Sequence, residues 1–153
     1  MPILDTAIAY DPTSRRCDAL FDGQDLVLDA TPVTPVLTIV GLDGRAHADD
    51  QAPDRNSNTY APASLLARRG WAGDALDQNG QRTGCRLWLI RYAKQTEATR
   101  QLAQDALAEG LDPLATARKW PTTLLVEWAR ANWLSWRVTV ADVVVSLNAA
   151  VGA

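Results

Sequence analysis

The strongest constraint on the fold lies in the last third of the chain, where apolar residues recur with a period of two. From Trp133 to Val140, Leu134, Trp136, Val138 and Val140 fall on one face, and Trp133, Ser135, Arg137 and Thr139 on the other. That is the pattern of a half-buried strand, whose successive side chains point to opposite faces. Leu124, Val126 and Trp128 alternate in the same way just before it. The short polar link Arg130-Ala131-Asn132 then predicts an antiparallel hairpin. Asp142 to Leu147, with Val143-Val144-Val145, extends the strand or adds another. A helical stripe through Leu124, Leu125, Trp128 and Asn132 competes over residues 122–136; the β-rich residue types and the cleaner later alternation favour strands.

The clearest helix runs from Thr96 to Leu114. Thr96 can cap it, and Glu97 places a carboxylate in the first turn, where it complements the helix dipole. Leu102, Ala106, Leu107, Leu111 and Leu114 recur at roughly helical spacing. Gly110 and Pro113 predict a kink, or a break with Asp112 capping a second short helix. Nearer the N-terminus, Ala7 to Tyr10, Cys17 to Phe21 and Asp25 to Asp29 read as short strands of a hairpin or meander, with Asp22-Gly23 as a turn. Thr31-Pro32 and Thr34-Pro35 open a short helix over Val36 to Leu42, which ends at Asp43-Gly44. Residues 47–62 are rich in Asp, Asn, Ser and Pro and predict a long loop. The expected fold class is α+β: a small antiparallel sheet with one main helix and one or two short ones.

At 153 residues the chain is expected to form one domain that buries about two-thirds of its unfolded surface. A formal charge of −3 disfavours general nucleic-acid binding. No apolar run approaches the roughly 20 residues needed to span a bilayer. The N-terminus shows no signal-peptide pattern, so synthesis in the cytoplasm is the default expectation. Two widely spaced cysteines, Cys17 and Cys85, read as free thiols.

Two short motifs stand out in the middle of the chain: Arg68-Arg69-Gly70-Trp71-Ala72-Gly73-Asp74 and Gly84-Cys85-Arg86-Leu87-Trp88-Leu89. Each sets a tryptophan beside glycine and arginine, without a nucleophile base or a cluster of metal ligands. Glycine permits tight turns, and Trp and Arg are the types most enriched at interface hot spots. A turn with a half-buried Trp anchor and a partner-contact site are both consistent with this composition. Four of the six tryptophans, Trp120, Trp128, Trp133 and Trp136, crowd the C-terminal third. An exposed indole beside an unpaired strand edge would make the strand carrying Trp133 and Trp136 a candidate for assembly by strand addition.

Together the two motifs resemble the arginine-glycine-tryptophan and glycine-small-arginine-leucine-tryptophan-leucine signatures of a Mu-like phage tail family. These are the short baseplate wedge proteins of contractile tails, similar to the T-even wedge protein at the start of the sheath. The chain has Ala72 where a second tryptophan is common, and Cys85 where serine is usual. The resemblance extends more loosely to Asp25-Leu26-Val27, Asp43-Gly44-Arg45-Ala46 with Asp49-Asp50, the Thr96 helix and the Trp133-Leu134 strand. It implies a structural protein of the virion that links wedge proteins to the first sheath ring. Its partners would be other wedge proteins, with sheath or tube-proximal proteins as neighbours. No cofactor, small-molecule substrate, nucleic acid or membrane is implied. The structural or contact motif would comprise Arg69, Trp71, Gly73, Asp74, Gly84, Arg86, Leu87 and Trp88.

Other chemistries fit less well. His47, the one histidine, lies near Asp43, Asp49, Asp50 and Asp54, but an Asp-rich loop is more often simply solvated than a metal site. A tail-associated cell-wall hydrolase would need two carboxylates across a cleft, one with a raised pKa. Glu97 and Glu109 read as a helix cap and a solvated helix face, and Glu127 as one face of a strand. The hydrolase is one alternative reading; the equivalent adaptor of a tailocin or another contractile injection system is another.

Overall fold

The computed structural model describes residues 5–11, 13–14, 16–50, 68–78 and 80–152. The expected loop over residues 47–62 therefore falls, beyond residue 50, outside the described residues. The architecture is α+β, as expected. Two small N-terminal strand pairs precede a first helix, and a long second helix packs on a three-stranded antiparallel sheet.

The sheet follows from the period-two pattern. β5 (Thr122–Arg130), β6 (Trp133–Val140) and β7 (Val143–Ala150) pair in the order β5-β6-β7, all antiparallel. Asn132 takes the left-handed conformation between β5 and β6, at φ 58°, which its short polar side chain tolerates better than most. Residues 122–130 are thus a strand and not the competing helix. Leu134, Trp136, Val138 and Val140 turn inward and are almost wholly buried. Asp142 to Leu147 contributes a separate third strand, and this changes the expectation for assembly. Trp133 and Trp136 sit on the central strand, hydrogen-bonded on both sides, so the sheet's outer edges belong to β5 and β7. Trp133 is half-buried, with the Arg130 guanidinium 4.4 Å above its ring.

α2 (Glu97–Thr116) covers the inner face of the sheet. The Thr96 side chain caps it, accepting from the Thr99 N–H at 3.1 Å. Its buried stripe is Thr99, Ala103, Ala106, Leu107, Gly110, Leu111 and Leu114. Leu102, expected on that stripe, is 58% exposed; Ala103 takes the inward position. The helix also runs unbroken through Gly110 and Pro113, where a kink or a second helix was expected. Pro113 lies in the last turn, so its missing N–H costs one bond near an end that frays anyway, and its carbonyl accepts from Ala117. Gly110 is there for contact: a Cβ on it would lie 2.9 Å from the Gly84 carbonyl oxygen.

α1 (Val33–Gly41) begins where Asp29 gathers the Thr31 N–H and the Thr31 and Thr34 hydroxyls. Thr34, 2% exposed, in turn accepts from the Ile8 N–H at 3.1 Å. This ties the N-terminal strands to the helix: β1 (Asp5–Thr6) pairs with β4 (Leu28–Asp29), and β2 (Ile8–Asp11) with β3 (Arg16–Ala19). Val36 and Ile39 of α1 join Leu107, Leu111, Val126, Leu134 and Val138 in one core.

Candidate functional site

The two motifs meet on a short stretch of extended chain, the strap Leu42–Ala46, which leaves the end of α1. On one side the strap pairs with the second motif like a short parallel ladder: Cys85 N–H donates to Leu42 O at 2.9 Å and Gly44 N–H donates to Cys85 O at 2.8 Å. On the other side it takes the first motif, as Ala46 N–H donates to Arg68 O at 2.9 Å. Gly84 makes the first approach possible. Its φ is 102°, a left-handed conformation that suits glycine, and a Cβ there would lie 2.8 Å from Leu42 O.

The side chains repeat this interlock. Trp88 is 8% exposed and its indole N–H donates to Gly44 O at 2.8 Å. Arg69 reaches back from the first motif, forms an ion pair with Asp43, and lies 4.5 Å over the Trp88 ring. Arg69 holds this position at φ 48°, a strained angle for a non-glycine residue. Trp71 behaves differently: it is 51% exposed, its ring leans over Gly73, and no room remains there for a Cβ. Asp74 closes the intervening loop through Thr83 N–H at 2.8 Å. Leu87 packs, half-buried, against the core.

Cys85 stands at the start of the 3-10 helix Arg86–Ile90, and its Sγ accepts from Leu87 N–H at 3.4 Å. That is an N-cap role, which a serine performs more strongly. Burial pushes its thiol up to about 12, so it is a packed and unreactive group.

Arg86 points past the strap, toward Asp50 and the α2 residue Glu109. Its Nη1 donates to both Asp50 oxygens at 2.8 and 2.7 Å, while Nε and Nη2 donate to Glu109 Oε2 at 3.0 and 2.5 Å. His47 Nε2 lies 2.8 Å from the other Glu109 oxygen, and His47 N–H donates to Asp50 at 2.7 Å. Glu109, read from sequence as a solvated helix face, is therefore the link from α2 to Arg86 and to His47, the residue that follows the strap. Burial opposes ionisation of Asp50, but the His47 N–H and Arg86 outweigh it and hold its carboxyl below the usual range. Burial likewise opposes Glu109, and Arg86 and His47 bring it down.

A definite pH dependence follows. The folded state holds these two protons more weakly than the unfolded chain. The stability they contribute is complete above the unfolded values, about 4, and is lost as pH falls through the lower folded values. Denaturant midpoints should hold down to about pH 5 and drop below about pH 4. Arg86→Met should make that drop shallower, and an unchanged slope in the variant would remove the Arg86 cluster as its source.

Among the described residues no group of His, Cys, Asp and Glu could hold a metal ion. Asp43 is spent on Arg69 and Asp50 on Arg86, and Asp54 lies outside the described residues. The interlock thus draws Arg69, Gly84, Arg86 and Trp88 together with Asp43, Gly44, Asp50 and Glu109, while Trp71, Gly73 and Asp74 stay in the adjoining loop and Leu87 packs on the core. Of the partners outside the motifs, Asp43 and Gly44 carried a signal as a helix end and Asp50 as part of an acidic loop; Glu109 carried none.

The profile of the family described as phage protein GP46 matches residues 32–145, which run from the residue before α1 into β7 and include both motifs. Baseplate protein gp46 of Escherichia phage Mu is 32% identical over 130 residues, 84% of this chain and 82% of that protein. No solved structure matches the chain significantly.

Proposed function

The chain belongs to the GP46 family of phage proteins, and from that premise we propose that it is a structural component of a phage tail baseplate. The observation that carries this reading is the interlock itself. Arginines of both motifs, with Trp88 and Gly84 of the second, join strap, helix and 3-10 turn, leaving Trp71 half exposed beside them. Such a unit presents a packed surface fit for contact with a partner. Within the tail, the protein is a wedge component joined to other wedge proteins and to the first sheath ring, and the motif residues form its structural and contact core. The outer edges of β5 and β7, which pair with no further strand among the described residues, are the candidates for strand addition.

The hydrolase alternative draws no support from Glu97 or Glu109. A glycosidase acid needs a raised pKa. The Arg100 side chain holds the Glu97 carboxyl below its ordinary value, and Glu109 is lowered as well. The test is genetic. Deleting the gene should leave filled heads but no assembled tails, with tails restored by a plasmid copy carrying Glu97→Gln and Glu127→Gln. Complete tails in the deletion would refute the baseplate role, and failure of the double glutamine copy would return attention to hydrolysis.

A further inference from the structure

Beside the interlock, Arg45, Arg69, Trp71, Asp74 and Arg82 line an open cleft of about 630 Å³. Its charges are unbalanced. Arg69 is engaged by Asp43. Among the described residues Arg45 makes only a long side-chain contact, 3.5 Å to the Arg69 carbonyl oxygen, and Arg82 has no ion-pair partner. Among the described lining residues the one carboxylate, Asp74, is turned under the loop: Oδ1 takes the Thr83 N–H and Oδ2 is shut off from solvent. The open face is therefore positive, on a chain whose net charge is −3. Trp71, 51% exposed, gives this positive face an apolar wall.

We propose that this cleft docks an acidic segment of a neighbouring baseplate protein, with carboxylates on Arg45 and Arg82 and an apolar side chain against Trp71. The assignment rests on the baseplate reading and names the chemistry of its partner. Guanidinium groups bind carboxylates in a planar, two-pronged geometry that ammonium groups cannot match. An arginine pair flanking an indole is the residue set of an interface hot spot. A nucleic-acid backbone would call for a longer run of cations and a basic chain.

The experiment is co-expression with the tail proteins encoded beside this chain, using wild type, Arg45→Glu/Arg82→Glu, and Arg82→Glu alone. The single variant changes one exposed side chain and keeps the test informative if the double variant folds poorly. The wild type should join a complex that weakens as salt is raised. Charge reversal should lower affinity about tenfold or more at low salt without shifting the melting temperature, and Trp71→Ala should also weaken it. Equal binding by wild type and both reversal variants would overturn the acidic-segment assignment while leaving the baseplate reading in place. Capture of nucleic acid through the cleft would also overturn it. If the wild type joins no tail protein, the baseplate reading fails and this assignment with it.

Discussion

Trp88→Ala is expected to destabilise the protein by about 3–5 kcal/mol and to lower its melting temperature by on the order of 10 °C. Trp88 is 8% exposed, and its indole N–H holds the Gly44 carbonyl at 2.8 Å. Truncation would leave a cavity beside the core, orphan that carbonyl and remove the surface on which Arg69 stacks. Trp71 supplies the internal control. It sits in the companion motif but is 51% exposed, so Trp71→Ala should cost well under half as much and act mainly on partner binding. Thermal and denaturant unfolding of the two variants side by side measure the difference. Equal losses would mean that the two motifs do not divide into a packed half and an exposed half.

Gly84→Ala should be nearly as damaging, although it removes no contact at all. The alanine would have to hold φ near 102° and place its Cβ 2.8 Å from Leu42 O and 2.9 Å from Gly44 N. The backbone strain alone costs about 1–3 kcal/mol, and forcing atoms into a filled space adds a similar amount. A loss of about 3 kcal/mol or more is expected in denaturant titration. The strap would have to move away from Cys85, breaking the ladder that joins it to the second motif. Ready accommodation, with a loss within about 0.5 kcal/mol as for ordinary surface changes, would show that the strap is not held tightly.

The sheet and the start of α2 were legible because their signals are local. The alternation of Leu134, Trp136, Val138 and Val140 marks a strand without knowledge of its partners, and Thr96 followed by Glu97 marks a helix start. The end of α2 was misread for the opposite reason. Gly110 and Pro113 carry a local propensity to break a helix, but Gly110 serves a close approach to Gly84, which is distant in sequence, and Pro113 falls where one lost bond matters little. The site divides in the same way. Both motifs were visible as unusual runs of glycine, arginine and tryptophan. Their partners were not, because the pairs Trp88–Gly44, Arg86–Asp50 and Arg86–Glu109 join residues far apart along the chain. Glu109 in particular resembles any solvated helix residue until the fold brings Arg86 and His47 to it. Strand addition at Trp133 and Trp136 was a plausible reading of a two-stranded hairpin, and the third strand, β7, moves the open edge elsewhere.

The most direct test of the central claim is to co-express the chain with the neighbouring tail proteins, purify it through a tag, and weigh the product by native mass spectrometry. The expected result is a stoichiometric hetero-complex that keeps its mass through purification and that loses this subunit when Trp71 is replaced. A lone, stably folded monomer with every tail protein in the flow-through would contradict a structural role in the baseplate.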